Sequence, residues 1–556
     1  MKNKNWRDVA EVAGIISIVA GLILVAWEVR QANNIAKTQM VMELAAQANE
    51  FNGATYENAE LAKLVAAISS PNYFEYSEAQ EAMMTAAAWH FANIFWSAQR
   101  AHDNGLLGDD DILMYQSSLA WHIENMPGLK PSYKAIYDTA PWLRDMFVFQ
   151  PLVELACGSR KSCGDLTSDT SAIADALESA VKDGKIPGVI GIAATRDEVV
   201  YQGAAGVRDV SNGEPMTVDT IVRIASMTKA ITSVGIMQLV EQEKIRLDDP
   251  VGQYLPRFAD AQVLEGFDAD DKPILRPAKS PVTVRHLLTH TSGYVYEIWN
   301  ADAGRNVELG NVASILAGGD AFLDTPLSFD PGTQWEYGIG TDVLGILIEA
   351  ISGQSLDVYF QQQIFTPLKM QDTFFNVPEE KQHRVATIHS KSVDGELTPI
   401  PLSLRQGGFL SGGGGLLSTA GDYTRFLQAM LNGGELDDSR ILNGSTVHLM
   451  AQNHIGELEA ANSIVSSAPS LSNDVNILPD SVDKFGLGFL INSDPVPGGR
   501  SAGSLAWAGM YNSYYWIDIE KGICGVLITQ ILPFYDAEVV TLFDNFEKSI
   551  YAVANQ

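Results

Sequence analysis

Cysteine is nearly missing from this chain, with three residues in 556. A disulfide framework or a thiolate metal cage is therefore excluded as the basis of the fold. No cysteine–histidine cluster has metal-ligand spacing, so no metal is expected, and none of the glycine runs has the strand–helix setting of a dinucleotide fingerprint, so no organic cofactor is expected. Positive charge is also scarce: 37 Lys and Arg stand against 68 Asp and Glu, a formal net charge of −31. Such a field repels phosphate backbones and argues against a nucleic-acid partner. No short internal repeat appears. A hydrophobic share of 46% is that of a chain able to bury real cores, and the length calls for more than one folded unit.

Uncharged apolar runs of membrane length are absent except at one place. Residues 12–27 are uncharged, and Lys2, Lys4 and Arg7 precede them. With the flanking Val9, Ala10 and Val29 the run reaches the ~20 residues needed to cross a bilayer. No small-x-small cleavage site follows, so residues 1–32 read as an uncleaved membrane anchor with the rest of the chain outside the cytoplasm. The alternative is a buried helix of the first domain. Residues 33–156 carry apolar positions at helical spacing and read as an all-helical domain, with His90 a core residue among Trp89, Phe91 and Trp96. A membrane-proximal platform or a homo-oligomerisation unit is its expected role. Residues 157–170 are rich in Gly, Ser and Asp, as a linker should be. Cys157 and Cys163 within it are either free thiols or a small disulfide loop, the latter favoured by export. Cys524, in GICGVLIT, reads as a buried strand residue.

The texture changes at residue 171. A helix, SAIADALESAVKDG, leads into two apolar strands joined by a charged turn, PGVIGIAATRDEVVYQGAAGV. A long mixed region follows, and the chain closes on three strand-like runs, FGLGFLIN, SLAWAGMYNSYYWIDI and GICGVLITQ. Strands first, helices between and strands last predict an α+β fold, an antiparallel sheet covered by helices, over residues 171–556.

Serine attacks a carbonyl only when a neighbour takes its proton. In RIASMTKAITSVGIMQLVEQ, Ser226 and Lys229 stand three apart at the start of what reads as an amphipathic helix, which sets both side chains on one face. The motif alone is weak, since a solvent-facing Ser and Lys give the same pattern. Its surroundings strengthen it: DDPVGQYLP, TVRHLLTHTSG, PGTQWEYGIGTDVLGILIEAISGQSL and GGGGLLSTAGDYTRFLQAML follow in order. These blocks resemble the serine β-lactamase and D,D-peptidase superfamily, in its class C and family VIII carboxylesterase branches, from about Asp165 onward.

The resemblance implies a fold with an all-helical subdomain beside the sheet and an acyl-enzyme on Ser226. Lys229 and Tyr337 would share the proton, and the backbone N–H groups of Ser226 and Met510 would form the oxyanion hole. Two positions depart from the class C pattern. Ile339 replaces an asparagine that holds a lactam side chain, and Trp507 replaces the lysine of Lys-Thr-Gly, giving Trp507-Ala508-Gly509 as in family VIII esterases. Trp507, Gly509 and Ile339 are thus the expected substrate-side residues, with Gly509 permitting a close approach of its strand. A small-molecule ester is favoured over a cell-wall-like amide. A weakly catalytic sensor or scaffold is the third possibility. GRSAG at 499–503 imitates a nucleophile elbow around Ser501, but no strand precedes it and no helix follows, so it reads as a turn. His286 and His290 read as a structural helix end that shapes the site.

Overall fold

A computed structural model describes residues 171–554, apart from 402–407, 461–463 and 477–480. The expected anchor, the helical domain with His90, and the linker with Cys157 and Cys163 lie outside the described residues. Within them no single helix is long and apolar enough to cross a membrane.

An eight-stranded sheet organises these residues. Its strands are β1 (Gly188–Thr195), β2 (Val199–Asp209), β3 (Glu214–Pro215), β4 (Lys484–Phe485), β5 (Leu490–Ile491), β6 (Leu505–Gly509), β7 (Ser513–Asp518) and β8 (Ile523–Ile528). They lie in the order β4-β5-β6-β7-β8-β1-β2-β3, and every pairing is antiparallel. The predicted sheet is therefore present. The run SLAWAGMYNSYYWIDI, however, is a hairpin and not one strand, because Asn512 turns the chain at φ +60°. FGLGFLIN likewise breaks into the two short strands β4 and β5.

β1, β6, β7 and β8 are buried almost throughout, which is why they read as continuous apolar runs and not as alternating ones. The pleat still sorts their side chains. Val189, Ala193, Ala506, Ala508, Tyr514 and Trp516 face one core with α1 (Ser171–Lys182) and α5 (Ala537–Ala554). Ile190, Ile192, Trp507, Tyr515, Ile517 and Val526 face the larger core on the other side. That core is filled by α2 (Thr228–Glu241), α3 (Gly340–Ser352) and α4 (Ala420–Leu431). The chain between β3 and β4 forms this second layer. It is not all-helical as expected: it also holds small ladders, among them Gln262–Phe267 with Pro273–Pro277 and Val222–Arg223 with Leu417–Ser418.

The helix α2 corrects another expectation. It is not amphipathic, since every residue from Thr228 to Leu239 is buried. Its polar donors find backbone partners: Thr232 Oγ1 donates to Gly412 O at 2.7 Å, and Gln238 Nε2 to Gln363 O and Ile441 O, both at 3.0 Å, while Gln238 Oε1 is buried without a partner among the described residues. Small polar side chains that satisfy themselves on backbone can sit in a core at little cost. A helix so enclosed is a rigid base for what stands at its start.

Candidate active site

Ser226 sits in the 3-10 turn Ala225–Met227 that feeds directly into α2. Ala225, with a Cβ, is held at φ +43°, a conformation that persists only where the surroundings enforce it. Several contacts do so. Ile224 N donates to Leu416 O at 3.2 Å, Tyr423 Oη to Met227 O at 2.9 Å, and Leu416 N to Thr228 Oγ1 at 3.2 Å. The turn is clamped from the stretch that follows the glycines at 412–415.

One helical turn on, Lys229 is 2% exposed. Its Nζ donates to Ser226 Oγ at 3.3 Å, to Tyr296 Oη at 2.9 Å and to Gly413 O at 2.6 Å. The predicted Ser–Lys pair is thus assembled, with the amine aimed at the hydroxyl. Tyr337 joins them through its ring, whose centroid lies 4.8 Å from Lys229 Nζ. The Tyr337 hydroxyl is buried beside the Tyr296 phenol and makes no hydrogen bond of standard geometry among the described residues. A phenol so placed beside a serine and an amine is poised to meet an atom that arrives with a ligand.

Sequence reasoning missed Tyr296. Burial, with Tyr337 and Asp342 close by, holds its phenol well above the ordinary range, so it rests protonated beside Lys229. Tyrosines alternate with small residues in TSGYVY, and that pattern was the available signal. Asp342 and Ser411 were missed as well. Asp342, on α3, accepts from Ser411 Oγ at 2.5 Å and from Gly413 N at 3.0 Å, which ties it to the turn that holds Lys229.

Trp507 and Gly509 point from β6 to the site side of the sheet. Trp507 packs against Tyr337, with ring centroids 4.9 Å apart, and against Phe485 and His290. Gly509 fulfils its expectation: a Cβ there would lie 2.4 Å from Ile224 O, so only glycine lets β6 press against the nucleophile turn. Gly338, beside Tyr337, is equally constrained, as a Cβ would fall 1.8 Å from Tyr294 O. Ser226, Trp299, Tyr337, Ile464, Val475, Trp507, Ala508, Met510 and Phe534 line a tight cleft of about 20 Å³. Ile339 does not line it. The side chain is 3% exposed and packs in the main core just before α3, where an aliphatic group is better buried than facing a ligand. A roomier cleft of about 410 Å³ lies between α1 and β2, but its side chains, such as Leu177, Glu178 and Tyr201, offer no nucleophile with a base.

The histidines serve structure. His286 closes a capping box with Thr283. His290 is fully enclosed and held neutral by burial and the charge of Lys229; its Nδ1 accepts weakly from Gly338 N at 3.4 Å. Ser501 stands in the loop before β6, its Oγ buried and without a partner among the described residues, and its N–H donates to Asp518 Oδ2 at 2.8 Å. The neighbouring Arg500 is locked in a buried ion pair with Glu547. The elbow-like motif is a turn. Among the described residues no group of three or more His, Cys, Asp or Glu could hold a metal ion.

This arrangement has relatives. A sequence model of the beta-lactamase family matches residues 173–542. Monacolin J acid methylbutanoyltransferase of Aspergillus terreus is 32% identical over 413 residues, covering 70% of this chain and 98% of that protein. Lovastatin esterase of Penicillium rubens is 31% identical over 396 residues, covering 67% and 96%. The unliganded selenomethionyl structure of simvastatin synthase from Aspergillus terreus matches with a TM-score of 0.61 at 30% identity, over 70% of this chain and 98% of that one. With its serine, lysine and tyrosine gathered at one cleft and this likeness across the whole catalytic unit, the chain belongs to the beta-lactamase family.

Proposed function

We propose that this protein is a serine carboxylesterase or acyltransferase for small neutral acyl esters, with Ser226 as nucleophile. The observation that carries the reading is the 3.3 Å contact of Lys229 Nζ with Ser226 Oγ in a cleft walled by Tyr337 and Trp507. Ser226 Oγ attacks the ester carbonyl carbon, and its proton passes into the group formed by Lys229, Tyr296 and Tyr337. The N–H groups of Ser226 and Met510 receive the negative charge that develops on the carbonyl oxygen. When the tetrahedral intermediate collapses, the C–O bond to the leaving group breaks and the same group returns the proton to the departing oxygen. Water or a second alcohol then gives its proton to that group and adds to the acyl carbon, the bond from that carbon to Ser226 Oγ breaks, and the group returns the proton to Ser226. The amine and the phenols act as one coupled unit.

The substrate side supports esters. Trp507 offers an apolar wall where a class C enzyme places a cation. A carboxylate brought against that wall would be buried without a counter-charge, which costs far more than burying a neutral ester. The names of two relatives, an esterase and a methylbutanoyltransferase, agree with acyl transfer to water or to an alcohol. The test compares p-nitrophenyl butyrate with a chromogenic cephalosporin in the wild type, Ser226→Ala and Ser501→Ala. The ester should be turned over at least 100-fold better by kcat/KM, Ser226→Ala should abolish turnover, and Ser501→Ala should keep it. A cephalosporin processed as well as the ester would promote the lactamase reading, and a dead Ser501→Ala would overturn the site.

The proposal places the catalytic unit outside the cytoplasm, held to a membrane by residues 1–32 and able to self-associate through residues 33–156. Its support is the apolar run with its basic flank and the helical pattern that follows. Recovery of the full chain in the soluble fraction without detergent would remove the anchor.

A further inference from the structure

Asp342 is wholly buried, and its two oxygens live in different surroundings. Oδ1 accepts both bonds, from Ser411 Oγ at 2.5 Å and Gly413 N at 3.0 Å, while Oδ2 has no partner among the described residues. The peptide units that flank Gly413 face two ways: the N–H binds Asp342, and the carbonyl accepts from Lys229 Nζ at 2.6 Å. The packing leaves no slack, since a Cβ on Gly413 would lie 2.3 Å from Asp342 Oδ2. Burial pushes the Asp342 carboxyl up, and the charge of Lys229 and the two donors pull against that. Ser226, Tyr296, Tyr337 and His290 also face Lys229, and Asp342 is the acidic side chain of this cluster.

We propose that Asp342 is a positioning residue and the buried counter-charge of the Ser226–Lys229 couple: its carboxylate fixes the Gly413 turn that holds the amine and biases the proton transfers of the site. The proposal rests on Ser226 being the nucleophile. An anion beside ionisable groups favours their protonated forms, so its removal displaces every proton loss in the cluster towards lower pH.

The asymmetry of the two oxygens makes a clean test available. In Asp342→Asn the amide oxygen can keep both accepted bonds, and the NH2 replaces the oxygen that accepts none. Charge goes and geometry stays. The pH profile of kcat/KM for p-nitrophenyl butyrate should move down by about one unit, the order expected for one nearby charge in a protein interior. KM at the optimum should stay within about threefold of wild type. Asp342→Ala should show the same displacement with a further loss in kcat, because the Gly413 turn loses its acceptor. Should the Asn variant fail to fold, Asp342→Ser reads the same displacement. A folded, acylating Asp342→Asn whose profile superimposes on wild type overturns the proposal, as a merely structural residue would lower melting temperature and kcat without moving the profile. Persistent turnover in Ser226→Ala would instead overturn the underlying assignment.

Discussion

Replacing Gly509 by alanine adds one methyl group at the tightest point of the site. That carbon would be built 2.4 Å from Ile224 O and 3.3 Å from Ile224 C, while Met227 Cγ is at an ordinary 3.6 Å. Restoring normal contact requires β6 to withdraw from the nucleophile turn by about 1 Å. The turn cannot give way instead, because Met227 O and Ile224 N are both bonded to neighbouring elements. Trp507 and the N–H of Met510 travel with the strand. An oxyanion contact of about 2.9 Å would stretch to nearly 3.9 Å, and losing one such donor costs about 10²–10³ in kcat, some 2.7–4 kcal/mol. Overpacking should also lower stability by about 1–3 kcal/mol. The assay is kcat for p-nitrophenyl butyrate alongside thermal unfolding, with Gly421→Ala as control, since a Cβ there meets nothing nearer than 3.9 Å. A Gly509→Ala enzyme with kcat within threefold of wild type would refute both the close approach and the oxyanion role given to this strand.

Two further predictions concern stability. Arg500 and Glu547 form an ion pair with side chains only 4% and 3% exposed. Glu547→Gln should cost about 3–5 kcal/mol by stranding a buried cation, whereas Lys548→Ala, which removes a pair 44% and 46% exposed, should cost under about 1 kcal/mol in the same melts. Equal losses would contradict the assignment of burial. Asp483 is 1% exposed, and burial raises its carboxyl to about 7. The folded state therefore keeps a proton that the unfolded chain releases near pH 4, so this group's contribution is full below that point and is lost as pH rises to about 7. The loss amounts to up to about 4 kcal/mol. Asp483→Asn should gain on wild type between pH 5 and pH 8 in denaturant titrations, and a constant difference across that range would negate the argument.

Local chemistry made much of this legible before any coordinates. Ser226 and Lys229 are one helical turn apart, so their meeting follows from spacing. Trp507 and Gly509 are two apart on a strand, so they share a face. The partners of Lys229 are of another kind. Tyr296 stands 67 residues along the chain from it and Gly413 184, and beyond the tyrosines of TSGYVY no local spacing announces either contact. The polar residues of α2 misled for a related reason. Thr232 and Gln238 resemble a wetted face, yet their bonding partners are backbone carbonyls brought in from remote loops. Ile339 was misplaced because a motif position was taken to imply a ligand contact, whereas the side chain now there follows its own hydrophobicity inward.

The sheet order has a consequence for how the protein is made. β1 is central, and one of its two neighbours is β8, with Thr195 opposite Ile523. A ribosome moving at about 5–20 residues per second needs tens of seconds to travel between those two codons. Throughout that interval β1 can pair with β2 alone, and its other edge, with Ile190 and Ile192, is open to any strand that presents itself. The sheet can therefore close on β1 only once β8 has been made, near the end of synthesis. A chain truncated before residue 523 would lack β8 and leave that edge of β1 with unpaired backbone groups, the condition that favours pairing between chains.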